Sequence, residues 1–358
     1  MTTAILAAPI VIRKKAENTW TIPQQKKHWF FLPWLKKNYF LNFCGGEPLL
    51  SFNLIKKILS FLDKKNKELK KRANYSLTTN GSLLTEEVIQ FLNKYKFSVV
   101  LSFDGLAQDS QRKKGSFQKT VSLIEKLLKC PDIELLVNSV FTPQSVDSFS
   151  KSIQLLLDLD VPEINFAFSI LQPWKKDSLL KLMNEIKKLR TILLAHYNKK
   201  GAFPVMNFSN EPGRGIFYCA AGKDRLVLTP DEEVWGCQLF PEYFNERKNS
   251  PEFRKFFFGT LDNFMGDYKN IYRRIHKNYA WLAMDNYSTP TMDCCLCSDL
   301  DDCQICPINA AFTGSPLGKI PDYVCEIQKI KIKEIKKFRE ETSKKSKGKD
   351  CKKKARKL

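Results

Sequence analysis

Seven of the eight cysteines from Cys219 to Cys325 are the side chains of this sequence best suited to chemistry. They run Cys219-x17-Cys237, then Cys294-x2-Cys297-x5-Cys303-x2-Cys306, and Cys325 follows after eighteen more residues. The apolar start of the chain (Ala4 to Ile12) is too short to span a bilayer. Its basic residues Arg13, Lys14 and Lys15 follow the apolar run, the wrong order for an export signal. A cytoplasmic setting is therefore expected, where thiols stay reduced and a dense set of them points to metal more than to disulfides. Zinc ribbons pair two CxxC units about fifteen to twenty residues apart. Here the pairs are five residues apart and flanked by distant cysteines, which favours iron–sulfur clusters fed by a tight knot and a remote ligand. Structural zinc and inert thiols are the alternatives.

A second group of special residues lies at the ends of predicted strands. After about Tyr39 the chain alternates short apolar runs with amphipathic segments, as βα units do. Strands are predicted over Tyr39–Phe43, Asn74–Thr78, Ser98–Phe103, Ile133–Phe141 and Glu163–Phe168. Helices are predicted over Phe52–Lys70, Thr85–Tyr95, Phe117–Lys129, Val146–Leu159 and Lys175–Tyr197. Five repeats imply a parallel sheet curling into a full or partial barrel, with its site at the C-terminal strand ends. There the chain places Cys44-Gly45-Gly46-Glu47-Pro48, Thr79-Asn80-Gly81 and Asp104-Gly105. Each dipeptide alone is an ordinary turn signal; three on one rim suggest a binding site.

The bulk composition excludes little. The 358 residues are 43% hydrophobic and 27% charged, as in a globular protein of about two domains. The formal charge of +21 is uneven: from Lys329 onward fifteen Lys/Arg face four Asp/Glu, a net of +11. Residues 326–340 are predicted to be helical, and a disordered basic tail is expected beyond Glu341. That tail reads as a solvated surface, with an anionic partner such as RNA or an acidic peptide as the lesser reading; no nucleic-acid or membrane partner is expected. The histidines His28, His196 and His276 are isolated, and no Ser-His-Asp order, P-loop or dinucleotide fingerprint appears. The aromatics Trp235, Phe240, Tyr243, Phe244 and Phe256–Phe258 read as core.

The motifs Gly45-Gly46-Glu47-Pro48, Thr78-Thr79-Asn80-Gly81 and Ser102-Phe103-Asp104-Gly105, with Arg112 and Gly115-Ser116-Phe117 downstream, resemble those of the radical SAM enzymes. The cysteine region resembles their SPASM extension, found in peptide- and protein-modifying maturases. The resemblance covers about residues 30–330. It implies an α/β fold: a partial (β/α) TIM-like barrel whose first unit is truncated or degenerate, followed by an auxiliary Fe–S domain. The implied boundaries are an atypical segment 1–28, a barrel 29–200, a cluster domain 207–328 and the tail 329–358.

The resemblance also implies roles. Gly45, Gly46, Glu47 and Pro48 would hold the amino group of S-adenosylmethionine. Ser102 and Asp104 would lie near its ribose and carboxylate, and Asn80 would shape the rim. Cys294, Cys297, Cys303 and Cys325 would ligate an outer [4Fe-4S] cluster, and Cys219, Cys237 and Cys306 an inner one. Cys295, Cys130, Cys44 and Cys351 match no motif position. The implied partners are a peptide or protein substrate and an electron donor such as flavodoxin or ferredoxin.

Two departures qualify this. The family's CxxxCxxC, which holds the iron that reduces S-adenosylmethionine, is absent, since no two cysteines lie four positions apart. The stretch 1–28 does not read like that region, which suggests a frameshift, truncation or mis-called start. From Trp29 a helix leading into the first strand is expected. Without those thiolates the chain is expected to make no 5′-deoxyadenosyl radical. Inactivity, or a non-catalytic cluster module that docks a peptide or redox partner, is the expectation. Gln238 is the second departure: sulfatase maturases carry an aspartate there as proton acceptor, and glutamine takes no proton at neutral pH. A peptide maturase needing no base at that position fits better.

Overall fold

A computed structural model describes residues 10–12, 37–209, 221–222, 225–282, 287–306, 308 and 311–355, without side chains for 10–12, 281 and 345–355. Cys219, most of the segment 1–28 and the helix expected from Trp29 lie outside the described residues. Along the chain the principal elements are β1 (Ile10–Ile12), β2 (Asn38–Phe43), α1 (Phe52–Glu68), β3 (Arg72–Thr79), α2 (Glu86–Lys94), β4 (Ser98–Ser102), α3 (Ser116–Leu128), β5 (Glu134–Phe141), α4 (Phe149–Asp158), β6 (Glu163–Phe168) and α5 (Lys176–Lys200). Then follow β7 (Leu226–Leu228), β8 (Glu233–Trp235), β9 (Phe257–Thr260), α6 (Tyr268–Trp281) and α7 (Asp322–Ala355). The α/β repeats of a partial barrel are present as the sequence predicted, within one to three residues at most boundaries.

The chain divides into two compact units. The first holds residues 1–102, 123–135 and 217–286. Its strands β1 to β4 are parallel, and β7 joins β1 in parallel register, Ile10 opposite Leu226. β8 and β9 then add antiparallel, with a bulge at Val234/Trp235. Burial alternates along β2, β3 and β4, so Tyr39, Leu41, Phe43, Tyr75, Leu77, Val99 and Leu101 are buried. α1 supplies Ile55, Ile58, Leu59 and Leu62 to the buried set, at the spacing of one helical face. Tyr39 donates to Asn66 Oδ1 at 2.9 Å, fixing β2 to the end of α1. The alternate residues Asn42, Ser76 and Thr78 are polar, and Ser76 donates to Asn42 at 3.0 Å. α2 begins at Thr85, whose hydroxyl caps Val88 N–H, with Glu86 and Glu87 in its first turn.

The second unit holds residues 103–122, 136–216 and 287–358. β5 and β6 pair in parallel, and Phe149 of α4 packs edge-on against Phe141, Phe166 and Phe168 at 4.9–5.1 Å between ring centres. The buried Glu185 of α5 accepts from Ser150 N–H and Oγ at 3.0 and 2.6 Å, satisfying the start of α4.

Two expectations need correction. Ile10-Val11-Ile12, within the stretch set aside as atypical, forms β1 between β2 and β7; a strand of three residues at the end of a continuous apolar run shows no period of its own. The C-terminal helix continues to Ala355 instead of ending near Glu341. The Lys-rich sequence there contains no proline, and lysine is a good helix former even without an apolar stripe. Among the described residues no helix is long and apolar enough to cross a membrane.

Candidate functional site

In the first unit the site begins where β2 ends. Gly45 and Gly46 both take positive φ, 95° and 51°, and turn the chain sharply. Glu47 then caps a short helical turn with Pro48 at its first position. The Glu47 carboxylate accepts from Leu49 N–H at 3.2 Å, Thr79 Oγ1 at 2.8 Å and Asn80 N–H at 2.9 Å. Asn80 Oδ1 in turn accepts from Ser82 N–H at 2.8 Å. A carboxylate has about four acceptor positions, and three are engaged within the protein. Glu47 therefore shapes the rim and keeps about one acceptor position. Ser102, the last residue of β4, is partly exposed, and Asn80 is exposed.

A cavity of about 470 Å³ has Gly46 in its wall. Asp231, Glu233, Glu242 and Glu246 line it against Arg247 and Lys248, with Trp235 and Phe244 among its apolar walls. Lys248 pairs with Glu233 at 3.2 Å, and Arg247 lies over the Tyr243 ring. The volume lies within the range of small-molecule sites. Sequence reading missed this wall, because its residues lie about 190 positions from Gly46 and no motif marks them. The nearby aromatics behave as core: Trp235 stacks on Phe244 at 5.7 Å, and Phe240 on Phe256 at 4.9 Å. Cys237 is buried beside them, and its Sγ accepts from Leu239 N–H at 3.5 Å.

In the second unit Asp104 is 2% exposed. Its carboxylate takes Arg112 at 2.7 and 3.3 Å and Val140 N–H at 2.8 Å. The motif partner Arg112 thus closes onto Asp104 across eight residues. So placed, Asp104 holds its loop, and its oxygens are committed within the protein.

The cysteine knot lies in the same unit. Two helical turns, Cys294–Leu296 and Leu300–Asp302, each deliver a cysteine at their end, Cys297 and Cys303. Cys294, Cys303 and Cys325 gather with Tyr287, Ile320 and Val324 in one apolar cluster. Burial first, then the neighbouring Cys303, Cys325 and Cys297, pushes the Cys294 thiol up to about 11. Burial likewise pushes Cys303 up to about 11, and Cys325 also upward. Among the described residues no three His, Cys, Asp or Glu side chains converge closely enough for a single metal ion. The four thiols lie instead within electrostatic reach of one another around apolar packing, and as a donor set they fit a cluster that takes one thiolate per iron. Cys295 is exposed and Cys130 is half-buried. Of the expected inner set, Cys237 belongs to the first unit and Cys306 to the second.

Comparison with known proteins gives a consistent picture. No protein-family model matches the chain. It is 27% identical over 220 residues to the radical SAM cyclopropyl synthase TigE of Paramaledivibacter caminithermalis, covering 58% of this chain and 45% of that protein. The chain thus spans about half the length of this curated relative. Among solved structures, native anSMEcpe with bound AdoMet superposes with a TM-score of 0.72 at 16% identity, over 94% of this chain and 99% of that one. anSMEcpe has also been solved with AdoMet and the Kp18Cys peptide. Streptococcus suis SuiB bound to S-adenosylmethionine gives 0.56 at 15% identity, over 90% and 76%. At such identities these structures speak for the fold.

Proposed function

We propose, for a chain whose fold and sequence kinship are those of the radical SAM/SPASM proteins, that it binds S-adenosylmethionine and a peptide, holds an iron–sulfur cluster, and cannot by itself cleave the cofactor. The observation that carries this reading is the gathering of Cys294, Cys303 and Cys325 in one apolar cluster, with Cys297 within electrostatic reach of Cys294. These residues would hold an outer [4Fe-4S] cluster, which when bound supplies a one-electron relay. A cluster takes its ligands as thiolates, and iron would supply the positive charge that favours that form. Cys219, Cys237 and Cys306 are the proposed inner set.

For the cofactor, the carbonyls of Gly45 and Gly46 would accept from its ammonium, with Glu47, Pro48 and Asn80 fixing their turn. Four carboxylates line the adjoining cavity, of which Glu233 is already paired with Lys248, and the others would favour a cation there. Ser102 would face the ribose, and Asp104 would hold its loop in place. The family's SAM-cleaving iron does not fit the residues present: only Cys44 precedes Cys130, and one buried thiol cannot replace three. No radical step is assigned to these 358 residues. A peptide partner is proposed from the company of AdoMet and Kp18Cys in anSMEcpe. A reducing cytosol is the compartment such thiols require, with a flavodoxin or ferredoxin as electron donor.

Anaerobic reconstitution followed by iron and sulfide analysis tests this reading. About four irons per chain are expected from the outer site, or about eight with the inner one. Dithionite and S-adenosylmethionine should yield no 5′-deoxyadenosine. Zinc without sulfide, or a colourless product, would overturn the cluster; 5′-deoxyadenosine would overturn the inactivity. The alternative, a redox module without peptide, is favoured if labelled peptides fail to bind the loaded chain.

A further inference from the structure

The five residues between Cys297 and Cys303 carry three aspartates, Asp299, Asp301 and Asp302. Two of them are not left to solvent. Lys336 Nζ meets Asp299 Oδ1 at 2.7 Å and Asp302 Oδ2 at 3.4 Å, and Arg339 donates to Asp302 Oδ1 at 2.9 Å. Both cations belong to α7, the helix whose first turn carries Cys325. Lys336 and Arg339 follow Cys325 by eleven and fourteen residues, close to three and four full turns, so the three share one helix face. Long side chains on a helix lean towards its N-terminus, which directs both cations back towards Cys325. One helix therefore contributes a thiol to the knot and, from the same face, grips the segment that carries two others.

The helix itself is anchored by separate contacts. Arg190 of α5 donates to the buried Glu334 at 2.8 Å and also pairs with Glu341. Phe338 packs edge-on against Phe203 and Phe208 at 4.8 and 5.3 Å. At the N-terminal end Tyr323 donates to Ile170 O at 2.6 Å. Losing the aspartate pairs would therefore free the loop and leave α7 seated. The Asp302 side chain is only 15% exposed, so its pair with Arg339 is less screened than a surface bridge.

We propose that Asp302 and Arg339, supported by Asp299 and Lys336, are positioning residues for the outer cluster: they latch the Cys297–Cys303 segment to α7 so that its thiols stay in register with Cys325. This rests on the reading of those four cysteines as cluster ligands. The latch sets how long a cluster is retained, and the global fold does not depend on it.

The test uses the full chain, reconstituted anaerobically, in wild-type form and as D302N, R339Q and the charge swap D302R/R339D. The readout is loss of visible cluster absorption under an excess of iron chelator, with thermal unfolding of each cluster-free protein as the control. D302N and R339Q should lose colour at least about fivefold faster than wild type, and the swap should return to within about twofold, as expected for a partly shielded ion pair. The cluster-free proteins should melt alike. Equal release rates in wild type and single variants would overturn the latch alone. A swap as fast as the single variants, or single variants that melt well below wild type, would also overturn it, by showing a general structural role. A wild-type chain that takes up no iron would overturn the cluster reading and the latch together.

Discussion

Glu47 Oε1 accepts the Thr79 hydroxyl at 2.8 Å, tying the loop after β2 to the last residue of β3. The other oxygen takes Asn80 N–H, so a single carboxylate fixes two strand ends. E47Q replaces one acceptor by an NH₂ group that must face a donor. It should cost about 1–3 kcal/mol in a denaturant titration, the range for leaving a partly buried donor unmet. T79S keeps the hydroxyl and should be near neutral, whereas T79V should lose part of the same amount. If E47Q melts like wild type, the carboxylate is not holding the rim.

Gly105 follows the buried Asp104 at φ +59°, and a Cβ there would sit 2.3 Å from Ser152 Cβ. G105A should destabilise by about 2–4 kcal/mol, part from the left-handed backbone and part from the clash. S152G removes the Cβ and Oγ that stand in the way but leaves Ser152 Cα at 3.0 Å and takes away the acceptor of Leu106 N–H, so the G105A/S152G double variant should recover only partially. Complete recovery would mean that the backbone conformation carries no strain.

The fully buried Tyr39 hydroxyl is pushed up to about 12 by burial, against the opposing effect of its bond to Asn66. The unfolded phenol ionises near 10, so between pH 10 and 12 the unfolded chain gives up a proton that the folded chain keeps. The stability from this group is complete below about pH 10 and is lost as pH rises through about 12. Two pH units correspond to roughly 3 kcal/mol. Ultraviolet titration against denaturant midpoints should show the fall in wild type and a smaller one in Y39F; equal slopes would remove Tyr39 from the alkaline transition.

Single Cys→Ser changes at Cys294, Cys297, Cys303 or Cys325 should each remove about four irons per chain. C295S and C130S should leave the iron count unchanged, because Cys295 is exposed beside the knot and Cys130 instead donates to Lys126 O. Loss of iron in C295S would assign it as a ligand in place of its neighbour.

Much of this arrangement is legible in the sequence because it is local. Strands β2 to β6 follow from alternating or continuous apolar runs closed by turn residues, and helices α1 and α2 from their amphipathic spacing. The Asp104–Arg112 pair lies within one short loop. Three features escaped for physical reasons. β1 is three residues long, below any detectable period. The cavity wall at Asp231 and Glu233 meets Gly46 only through the parallel pairing of β7 with β1 and of β1 with β2. The extent of α7 was missed because lysine-rich sequence serves disorder and helix alike.

The turn after β2 takes its shape from what it lacks. With Gly45 and Gly46 in succession at positive φ, two missing Cβ carbons fix where the chain reverses, and a replacement at either would cost about 1–2 kcal/mol before touching any neighbour. Charge, size or polarity elsewhere on the rim can drift and be compensated by a partner. No partner can restore a backbone path that only an unbranched α-carbon permits, so this corner should tolerate fewer substitutions than its polar neighbours on the rim in a saturation library, even with no cofactor present.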